Sequence, residues 1–464
     1  MPPILATCIT LAFVAFLFRR DGREKPNVTG ALWLPLLWFL LIGSRTVSQW
    51  LELLGVSLGG GSNEEGTPVD AVAFFLLIAA GINVLKQRRI QLAEIIAHNR
   101  CLAFFLGYCF LAIFWSDFHF VAFKRWIKIL GHPIMTLVLF TEPDPEEAVA
   151  RLMKRAAYII VPISILFIKY FPQWSHEDNP WGGPAGLTGI ALDKNMMGSV
   201  CLILGLYFFW HLLQTLRREK SRARRQELFL CAGFLWMIGW LLNSVHSSTS
   251  TVSLLAGVAL ILFLGFRFVD KQRIGTYLIT GCIVFGLAEW MFGILDMVIN
   301  LLGKDPTLTD RTKVWELVLS IQTNPLLGTG FESFWMGDRC RLIWEQFWWH
   351  PIQAHNGYLE TYLNLGLIGL ALMLALIFTA FAKGRHALLA GYDFGRFRLG
   401  FVAAFVLYNW TEAAFKALHP VWFVFYIIAI DYPPSPSKTT EVPLDEELEN
   451  QTPGEPLENQ PAVY

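Results

Sequence analysis

Apolar runs recur along almost the whole chain, and most of them approach the length that crosses a lipid bilayer. A transmembrane helix needs ~20 apolar residues to cross a hydrocarbon core of ~30 Å. Only 16% of the 464 residues are charged, which is well below the roughly 25% of soluble domains. The sequence therefore predicts an all-α polytopic membrane protein with about 12–13 transmembrane helices. The predicted spans lie near residues 3–18, 29–44, 69–85, 101–115, 130–141, 156–170, 195–214, 228–243, 250–265, 275–301, 359–382, 398–411 and 419–431.

The positive charges of the connecting loops predict an orientation in the membrane. One alternating set of loops holds 24 Lys and Arg residues, whereas the other set holds 11. Cytoplasmic loops carry the excess, so the first set is predicted to face the cytoplasm. Residues 1–432 then form one membrane domain with a long external loop at 302–358, and residues 433–464 form a disordered acidic cytoplasmic tail. We expect membrane lipids, and no nucleic acid, as partners of such a chain.

The external loop contains a helix signal. In TLTDRTKVWELVLSIQTNPLLGTG, Asp310 suits an N-cap, and apolar residues at helical spacing follow as far as Asn324. Arg311 falls in the first turn, where backbone N–H groups and a guanidinium together suit phosphate oxygens. Trp315, one turn later, would cover an apolar face or a sugar. The alternative is that Arg311 pairs with Asp310 or with a lipid headgroup.

A histidine stands at the start of the next predicted span. In PIQAHNGYLETYLNLGLIGL, His355 and Asn356 precede a helix that begins near Gly357. The positive end of a helix disfavours imidazolium, and a neutral imidazole can accept a proton at physiological pH. Proton acceptance is what a general base for a sugar hydroxyl must do. The alternative is a histidine that only caps the helix.

Further basic residues lie on the same predicted outer side. The segment DFHFVAFKRWIK, residues 117–128, has apolar residues at helical spacing and predicts an amphipathic helix on the outer membrane surface. Its three cations, which would hold an anion or contact lipid headgroups, are Lys124, Arg125 and Lys128. Lys194 opens another span and would bind phosphate or extend to the interface. His246 lies in the hydroxyl-rich turn NSVHSSTSTVSLL, where the hydroxyls would otherwise satisfy helix ends.

Together these motifs resemble the O-antigen ligase and O-antigen polymerase superfamily of bacterial membrane glycosyltransferases. The order and spacing of DRTKVWELVLSIQTNPLLGTGFESFW and AHNGYLETYLNLGLIGL are similar to the signature loop of that family. Three further stretches, WSDFHFVAFKRWIKILGHP, TEPDPEEAV and LTGIALDKNMMGS, resemble its exopolysaccharide-polymerase branch. The resemblance covers residues 100–430.

This resemblance implies a GT-C-like fold and a transfer reaction that needs neither a metal nor another cofactor. A glycan would move from an undecaprenyl-diphosphate carrier to a hydroxyl of another glycan or of lipid A core, at the periplasmic face of the bacterial inner membrane. His355 would activate the acceptor, and Arg311 would hold the diphosphate. The substrate-binding candidates are Lys124, Arg125, Lys128, Lys194, His246, Trp315 and Asn356. Many relatives have an arginine beside the hydroxyl-rich turn, where this chain has His246.

Two other functions also fit the sequence. A secondary transporter or a flippase of lipid-linked oligosaccharides would also have many helices, and Glu289 and Asp296 are the candidate ionisable groups within a span. The external acidic residues Glu64, Glu65 and Asp70 do not form the paired pattern expected around a divalent ion. The sequence does not separate polymerase from ligase, because both would use the same donor chemistry.

Overall fold

The computed structural model describes residues 1–56, 66–177, 186–292, 311–391 and 393–432. Helices dominate this part of the chain, and every predicted span overlaps one of them. In chain order they are α1 (Pro3–Arg23), α2 (Trp33–Gly43), α3 (Val47–Leu53), α4 (Pro68–Gln87), α5 (Leu92–His98), α6 (Arg100–Leu111), α7 (His119–Phe140), α8 (Pro145–Tyr170), α9 (Pro172–Ser175), α10 (Lys194–Arg217), α11 (Arg222–Val245), α12 (Ser248–Phe263), α13 (Ile274–Phe292), α14 (Arg311–Ser320), α15 (Gly337–Gln346), α16 (Gly357–Leu389), α17 (Phe394–Thr411) and α18 (Pro420–Ala429).

Regular structure other than α-helix is short. Two 3-10 turns lie at Gly30–Leu32 and Lys271–Arg273. Strands β1 (His176–Glu177) and β2 (Gly186–Leu187) form an antiparallel pair. This pair joins the end of α9 to the segment that leads into α10, so it lies at the same end of the bundle as the N-terminus of α10.

Five helices within the described ranges are long and apolar enough to cross a membrane: α1, α4, α10, α11 and α16. The 3-10 turn with α2, followed by α3 after a bend of 60°, makes a sixth candidate. Three shorter apolar helices of 10–17 residues are α6, α12 and α18. The prediction of an all-α polytopic membrane protein is confirmed. Length and composition alone qualify fewer spans than the predicted number, because several helices are short or carry charges near their ends.

One predicted boundary is wrong. The sequence suggested a surface helix at 117–128 separate from a span at 130–141, but α7 runs without a break through both segments and accommodates Pro133. Several other predicted features lie outside the described residues: the N-cap Asp310, the tail at 433–464, and the acidic residues Glu64, Glu65 and Asp296.

The centre of the bundle is formed by α10 and α18. Every residue of α18 is buried, and 78% of the most apolar stretch of α10 is buried inside the protein. The corresponding stretch of α1 is only 11% buried, so this helix lies at the periphery. The ends of α10 and α18 therefore provide fixed positions on which polar groups can be arranged.

Gly366 breaks α16, and the external loop forms hydrogen bonds with the helix at this break. Gly366 has φ 65° and ψ −166° inside the helix, a conformation that is essentially restricted to glycine. The break leaves the carbonyls of Leu363 and Asn364 without helical partners, and they accept hydrogen bonds from the backbone N–H groups of Thr329 at 3.1 Å and Gly330 at 2.9 Å. The loop that follows α14 is thereby attached to α16.

We expect Gly366→Ala to destabilise the protein by about 1–3 kcal/mol or more, because a left-handed backbone is strained for alanine. A methyl group at this position would also lie 2.2 Å from the backbone of Leu326. The measurement is the free energy of unfolding in mixed detergent micelles. Gly281→Ala in α13 is the matched control, since nothing lies within 4 Å of its added methyl group. Equal stability of the two variants would contradict the attachment of the loop through this break.

Candidate functional site

The two residues predicted to carry chemistry meet at one carboxylate. Arg311 Nη2 lies 3.1 Å from Oε1 of Glu412, and His355 Nδ1 lies 3.2 Å from Oε2 of the same side chain. Arg311 Nη1 also donates to the backbone carbonyl of Thr411. Glu412 is only 5% exposed. Residues that are far apart in the sequence thus form a compact ionic cluster at the end of α17.

Helix ends and backbone hydrogen bonds hold this cluster in place. Glu412 is the C-cap of α17, and its carbonyl accepts from the backbone N–H of Gly357 at 3.0 Å. Asn356 is the N-cap of α16, where its side-chain oxygen accepts from the N–H groups of Tyr358 and Leu359, both at 3.0 Å. The end of one helix and the start of another are therefore joined directly beside His355. Asn356 has a capping role, and substrate binding by this residue stays a prediction.

His355 itself has a left-handed backbone, with φ 52°. A positive φ is uncommon for a residue that is not glycine and is often associated with functional sites. The preceding carbonyl, that of Ala354, accepts a hydrogen bond from Trp315 Nε1 at 2.7 Å. Trp315 packs against the small apolar core of the external loop, which contains Val314 and Val318. Trp315 therefore orients Ala354, the residue before His355. The contact of Trp315 with a sugar stays a prediction.

The charges around Glu412 determine its protonation state. Burial alone would raise the pKa of its carboxyl, but the charges and hydrogen bonds of His355 and Arg311 lower that pKa to about 2. Glu412 is therefore ionised at neutral pH and can only accept hydrogen bonds. The proton of a neutral His355 is then assigned to Nδ1, which faces the carboxylate, and Nε2 carries the basic lone pair. Nε2 makes no hydrogen bond with any residue that the structure describes.

The segment before α10 approaches the same carboxylate. Asp193 caps α10 by accepting from the N–H groups of Asn195 and Met196, both at 2.9 Å. Burial raises the pKa of the Asp193 carboxyl, and the nearby negative charge of Glu412 raises it further. Lys194 follows directly, as the sequence predicted, and its backbone N–H lies 3.4 Å from Glu177 Oε2. The Lys194 side chain lies against Gly186 and forms no ion pair within the described ranges, so its contact with phosphate stays a prediction.

The hydroxyl-rich turn also reaches the cluster, through a residue other than the predicted one. Thr249 Oγ1 lies 2.6 Å from Thr411 Oγ1, next to Glu412. His246 is exposed and forms the C-cap of α11 with a left-handed backbone, φ 54°. The structure does not bring the His246 side chain into contact with His355 or Arg311, and its role in substrate binding stays a prediction.

A second group of cations lines a neighbouring cavity of about 350 Å³. Arg125 and Lys128 of α7 contribute to its wall, together with Lys416. Arg125 Nη1 donates to the backbone carbonyl of Glu332. Lys416 Nζ contacts Oε1 of Gln353, and the amide nitrogen of that same glutamine lies 3.4 Å from His355 Nδ1. One glutamine therefore connects this cavity to the Glu412 cluster.

The third predicted cation of α7 has different surroundings. Lys124 Nζ lies 4.9 Å from the centre of the Phe120 ring, a distance typical of a cation–π contact. Lys124 does not line the cavity that Arg125 and Lys128 share. The three cations that appeared equivalent in the sequence are therefore divided into two inside and one outside the cavity.

Sequence reasoning missed Glu412 and Lys416. Both lie in TEAAFKAL, residues 411–418, which connects the last two predicted spans on the outer side. A short external connection with one acid and one base would have been a detectable signal under the predicted orientation. This connection carries no motif of its own, and its importance depends on the partners that the fold brings to it.

We expect Glu412→Gln to lower the free energy of unfolding by about 3 kcal/mol at neutral pH, because breaking one side of a buried ion pair is costly. The folded-state pKa of about 2 lies below the ordinary value of 4.5. The carboxylate therefore contributes its full stability above pH 4.5 and loses it as the pH falls through 2. The difference in the free energy of unfolding between wild type and Glu412→Gln should therefore decrease as the pH falls from 4.5 to about 2. Glu345→Gln, at an exposed position of α15, is the control, and an equal effect of both changes would contradict the pairing.

Comparison with known proteins finds similarity to one family. Residues 190–374 match the family model described as O-Antigen ligase, Wzy_C. Over this range the chain is similar to the O-antigen ligase family, and its relatives include an exopolysaccharide production protein. The matched range contains Lys194, His246, Arg311, Trp315 and His355, whereas Glu412 and α7 lie outside it.

Two relatives share long stretches with this chain. It is 28% identical over 310 residues to "Exopolysaccharide production protein ExoQ" of Rhizobium meliloti (strain 1021), which covers 64% of this chain and 68% of the relative. It is 22% identical over 309 residues to a protein named "Putative polysaccharide ligase" of Rickettsia bellii (strain RML369-C), which covers 65% of this chain and 72% of the relative. Both matches extend well beyond the range of the family model.

Proposed function

We propose that this relative of the O-antigen ligase family transfers a glycan from a polyprenyl diphosphate to an acceptor hydroxyl, at the outer face of the cytoplasmic membrane. The observation that carries the proposal is the shared carboxylate of Glu412, which holds His355 and Arg311 side by side. Such a transfer needs a base for the acceptor and a cation for the leaving group, and this cluster contains one of each. The names of the two relatives, a polysaccharide ligase and an exopolysaccharide production protein, agree with this reaction class.

In the proposed reaction, His355 Nε2 takes the proton from the acceptor hydroxyl. The acceptor oxygen forms a bond to the anomeric carbon of the donor, and the bond from that carbon to the phosphate oxygen breaks. Polyprenyl diphosphate leaves with the electron pair. Glu412 keeps the His355 Nδ1 proton in place and stabilises the imidazolium that forms, which is the part a carboxylate has in other base-assisted transfers.

Arg311 is assigned to the diphosphate. A guanidinium has five N–H donors in a fixed planar arrangement. In the structure, donors of Arg311 contact Thr411 and Glu412, and the remaining N–H groups can bind phosphate oxygens. Negative charge increases on these oxygens as the donor bond breaks, so a fixed cation stabilises the transition state more than the ground state.

The neighbouring cavity is assigned to the remainder of the donor or to the acceptor glycan. Its wall contains the cations Arg125, Lys128 and Lys416 next to the indole rings of Trp335 and Trp344. Cations suit phosphate oxygens, and aromatic faces suit the apolar face of a sugar ring. Many relatives have an arginine beside the hydroxyl-rich turn, and this chain lacks it. We assign the anion-binding role of that arginine to Lys416.

The test is a transfer assay with the purified protein in detergent and a polyprenyl-diphosphate oligosaccharide as donor, with a chelator present and no added metal. Longer glycan chains would identify a polymerase, and products on added lipid A core would identify a ligase. The relationship to ExoQ leads us to expect chain elongation. Absence of both products, with donor consumed neither by transfer nor by hydrolysis, would refute the proposed reaction. Transport of labelled donor across vesicles without transfer would favour a flippase instead.

A further inference from the structure

A large cavity opens at the opposite end of the bundle from the Glu412 cluster. It has a volume of about 820 Å³ and lies between α8, α10 and the start of α11. Helix α10 begins at Lys194, directly after Asp193, and lines the cavity from Tyr207 to Arg217. At 1.5 Å per residue, Tyr207 lies about 20 Å along the helix from Lys194. The loop charges assign this end to the cytoplasm, so the cavity is distinct from the proposed reaction site.

One wall of this cavity is cationic. It is formed by the turn between α10 and α11, whose sequence from residue 217 is RREKSRARR. Arg224 donates to the carbonyls of Thr215 and Leu216, at 3.1 and 2.9 Å, and Arg217 pairs with Asp393 at 3.1 Å. Arg218 also lines the cavity but forms no ion pair with any residue in the described ranges. Its guanidinium therefore faces the cavity with its donors available.

Acidic residues from the start of α8 also line the cavity. Asp144 caps that helix, and Glu146 and Glu147 follow in its first turn. Glu147 is held by Arg151 at 3.0 Å. Glu146 lines the cavity, is exposed, and forms no ion pair within the part of the chain that the structure describes. One unpaired acid and one unpaired arginine thus line the same cavity.

Two aromatic rings, Trp210 and Phe394, also line the cavity, with ring centroids 5.8 Å apart. Aromatic faces attract ammonium groups through the ring quadrupole. An ammonium group near Glu146 and these rings could form an ion pair with the carboxylate and a cation–π contact with a ring. The cavity therefore presents separate places for a cation and an anion of the same small ligand.

A metal ion is a poorer occupant of this region. His211, Glu227 and Cys231 lie close enough to hold a metal. Both carboxylate oxygens of Glu227 are already engaged by cations, however, with Lys154 Nζ at 2.5 Å from one and Arg20 Nη2 at 2.6 Å from the other. A divalent ion would have to displace these ammonium and guanidinium groups. Arg218 and Glu146, by contrast, are exposed residues that line the cavity.

We propose that this cavity binds a phosphate–ammonium zwitterion of the phosphoethanolamine class, with the phosphate at Arg218 and the ammonium at Glu146. The inner leaflet of the membrane supplies such a group on phosphatidylethanolamine, and a soluble source would be glycerophosphoethanolamine. The shared chemistry is a phosphate separated from an ammonium by two carbons. This inference does not depend on the proposed glycan transfer, because the two sites lie at opposite ends of α10.

The experiment measures ligand binding to the full-length protein in detergent micelles, through the shift in unfolding temperature and the affinity derived from it. The ligands are phosphatidylethanolamine, phosphatidylglycerol, glycerophosphoethanolamine and inorganic phosphate. We expect phosphatidylethanolamine to stabilise the wild-type protein more than phosphatidylglycerol does. Stabilisation by glycerophosphoethanolamine to the same extent would identify a soluble ligand, whereas stabilisation by the lipid alone would identify a membrane lipid.

Two variants locate the ligand within the cavity. Arg218→Glu should weaken phosphatidylethanolamine binding by about tenfold or more, because a charge-assisted hydrogen bond is lost. Glu146→Gln should weaken that binding while leaving phosphatidylglycerol binding unchanged. The matched controls are Arg222→Glu and Glu219→Gln, exposed positions of the same turn that do not line the cavity.

Three results would overturn the proposal. The first is an unchanged unfolding temperature of the wild-type protein with every ligand. The second is an equal loss of affinity in Arg222→Glu and Arg218→Glu, which would indicate general attraction to a basic surface. The third is equal binding of phosphatidylglycerol and phosphatidylethanolamine together with an unaffected Glu146→Gln variant, which would leave Glu146 without a role.

Discussion

The His355→Asn variant is expected to lose glycan transfer by a factor of roughly 10²–10⁴, the usual contribution of a general base. Asparagine suits this position structurally. It tolerates the left-handed backbone better than most residues, so it fits the φ of 52° at His355. Its amide can still donate to Glu412, whereas it has no nitrogen that accepts a proton near neutral pH. The variant therefore removes the base while preserving the fold around it.

The measurement is the initial rate of transfer with purified protein and a saturating lipid-linked donor. His119→Ala is the matched control, because His119 is an exposed histidine at the start of α7 whose ring contacts only the carbonyl of Phe114 among the described residues. The control should retain wild-type activity. The wild type, His355→Asn and His119→Ala should be inserted into the membrane in equal amounts. Full activity of His355→Asn would show that the imidazole is a structural group.

Much of the fold was predictable from the sequence, because bilayer thickness imposes a length on each apolar run. Every predicted span overlaps a helix, and the helix predicted in the external loop is present as α14 (Arg311–Ser320). The helix ends at Ser320, before the Asn324-Pro325 sequence that seemed to terminate it. What periodicity could not show is the break in α16 at Gly366, since the surrounding residues are as apolar as those of an unbroken span. The break depends on the loop backbone that packs against it.

The candidate site was only half predictable, for a related reason. Arg311 and His355 stand at helix starts, where local rules for dipoles and caps assign them a chemical preference. Glu412 stands at a helix end, where a carboxylate is not favoured by the dipole, and no local rule selects it. Its position is explained by two partners that lie 101 and 57 residues away in the sequence. Long-range pairing of this kind is determined by the arrangement of helices, which a single sequence does not reveal.

The Arg311→Ala variant is expected to lose transfer by about 10²–10³, the cost of removing one group that stabilises developing charge. A competing explanation is structural, because removal of Arg311 also leaves Glu412 buried with one cation fewer. The double variant Arg311→Ala/Glu412→Gln separates the two explanations. If Arg311 only neutralises Glu412, the double variant should transfer as fast as Glu412→Gln alone, because the carboxylate that needs a cation is already gone. If Arg311 binds the leaving diphosphate, the double variant should be as stable as Glu412→Gln but transfer about 10²–10³ times more slowly.

Arg341→Ala is the control for this experiment, since Arg341 lies on the same external loop with a side chain that is 75% exposed and pairs only with Asp338 among the described residues. Arg311→Lys adds a graded comparison, because lysine keeps the charge but loses the planar pair of donors. Its activity should fall between that of wild type and Arg311→Ala. Equal transfer by the double variant and by Glu412→Gln would assign Arg311 to the structure alone. The diphosphate would then have to be held by cations of the neighbouring cavity, such as Lys416.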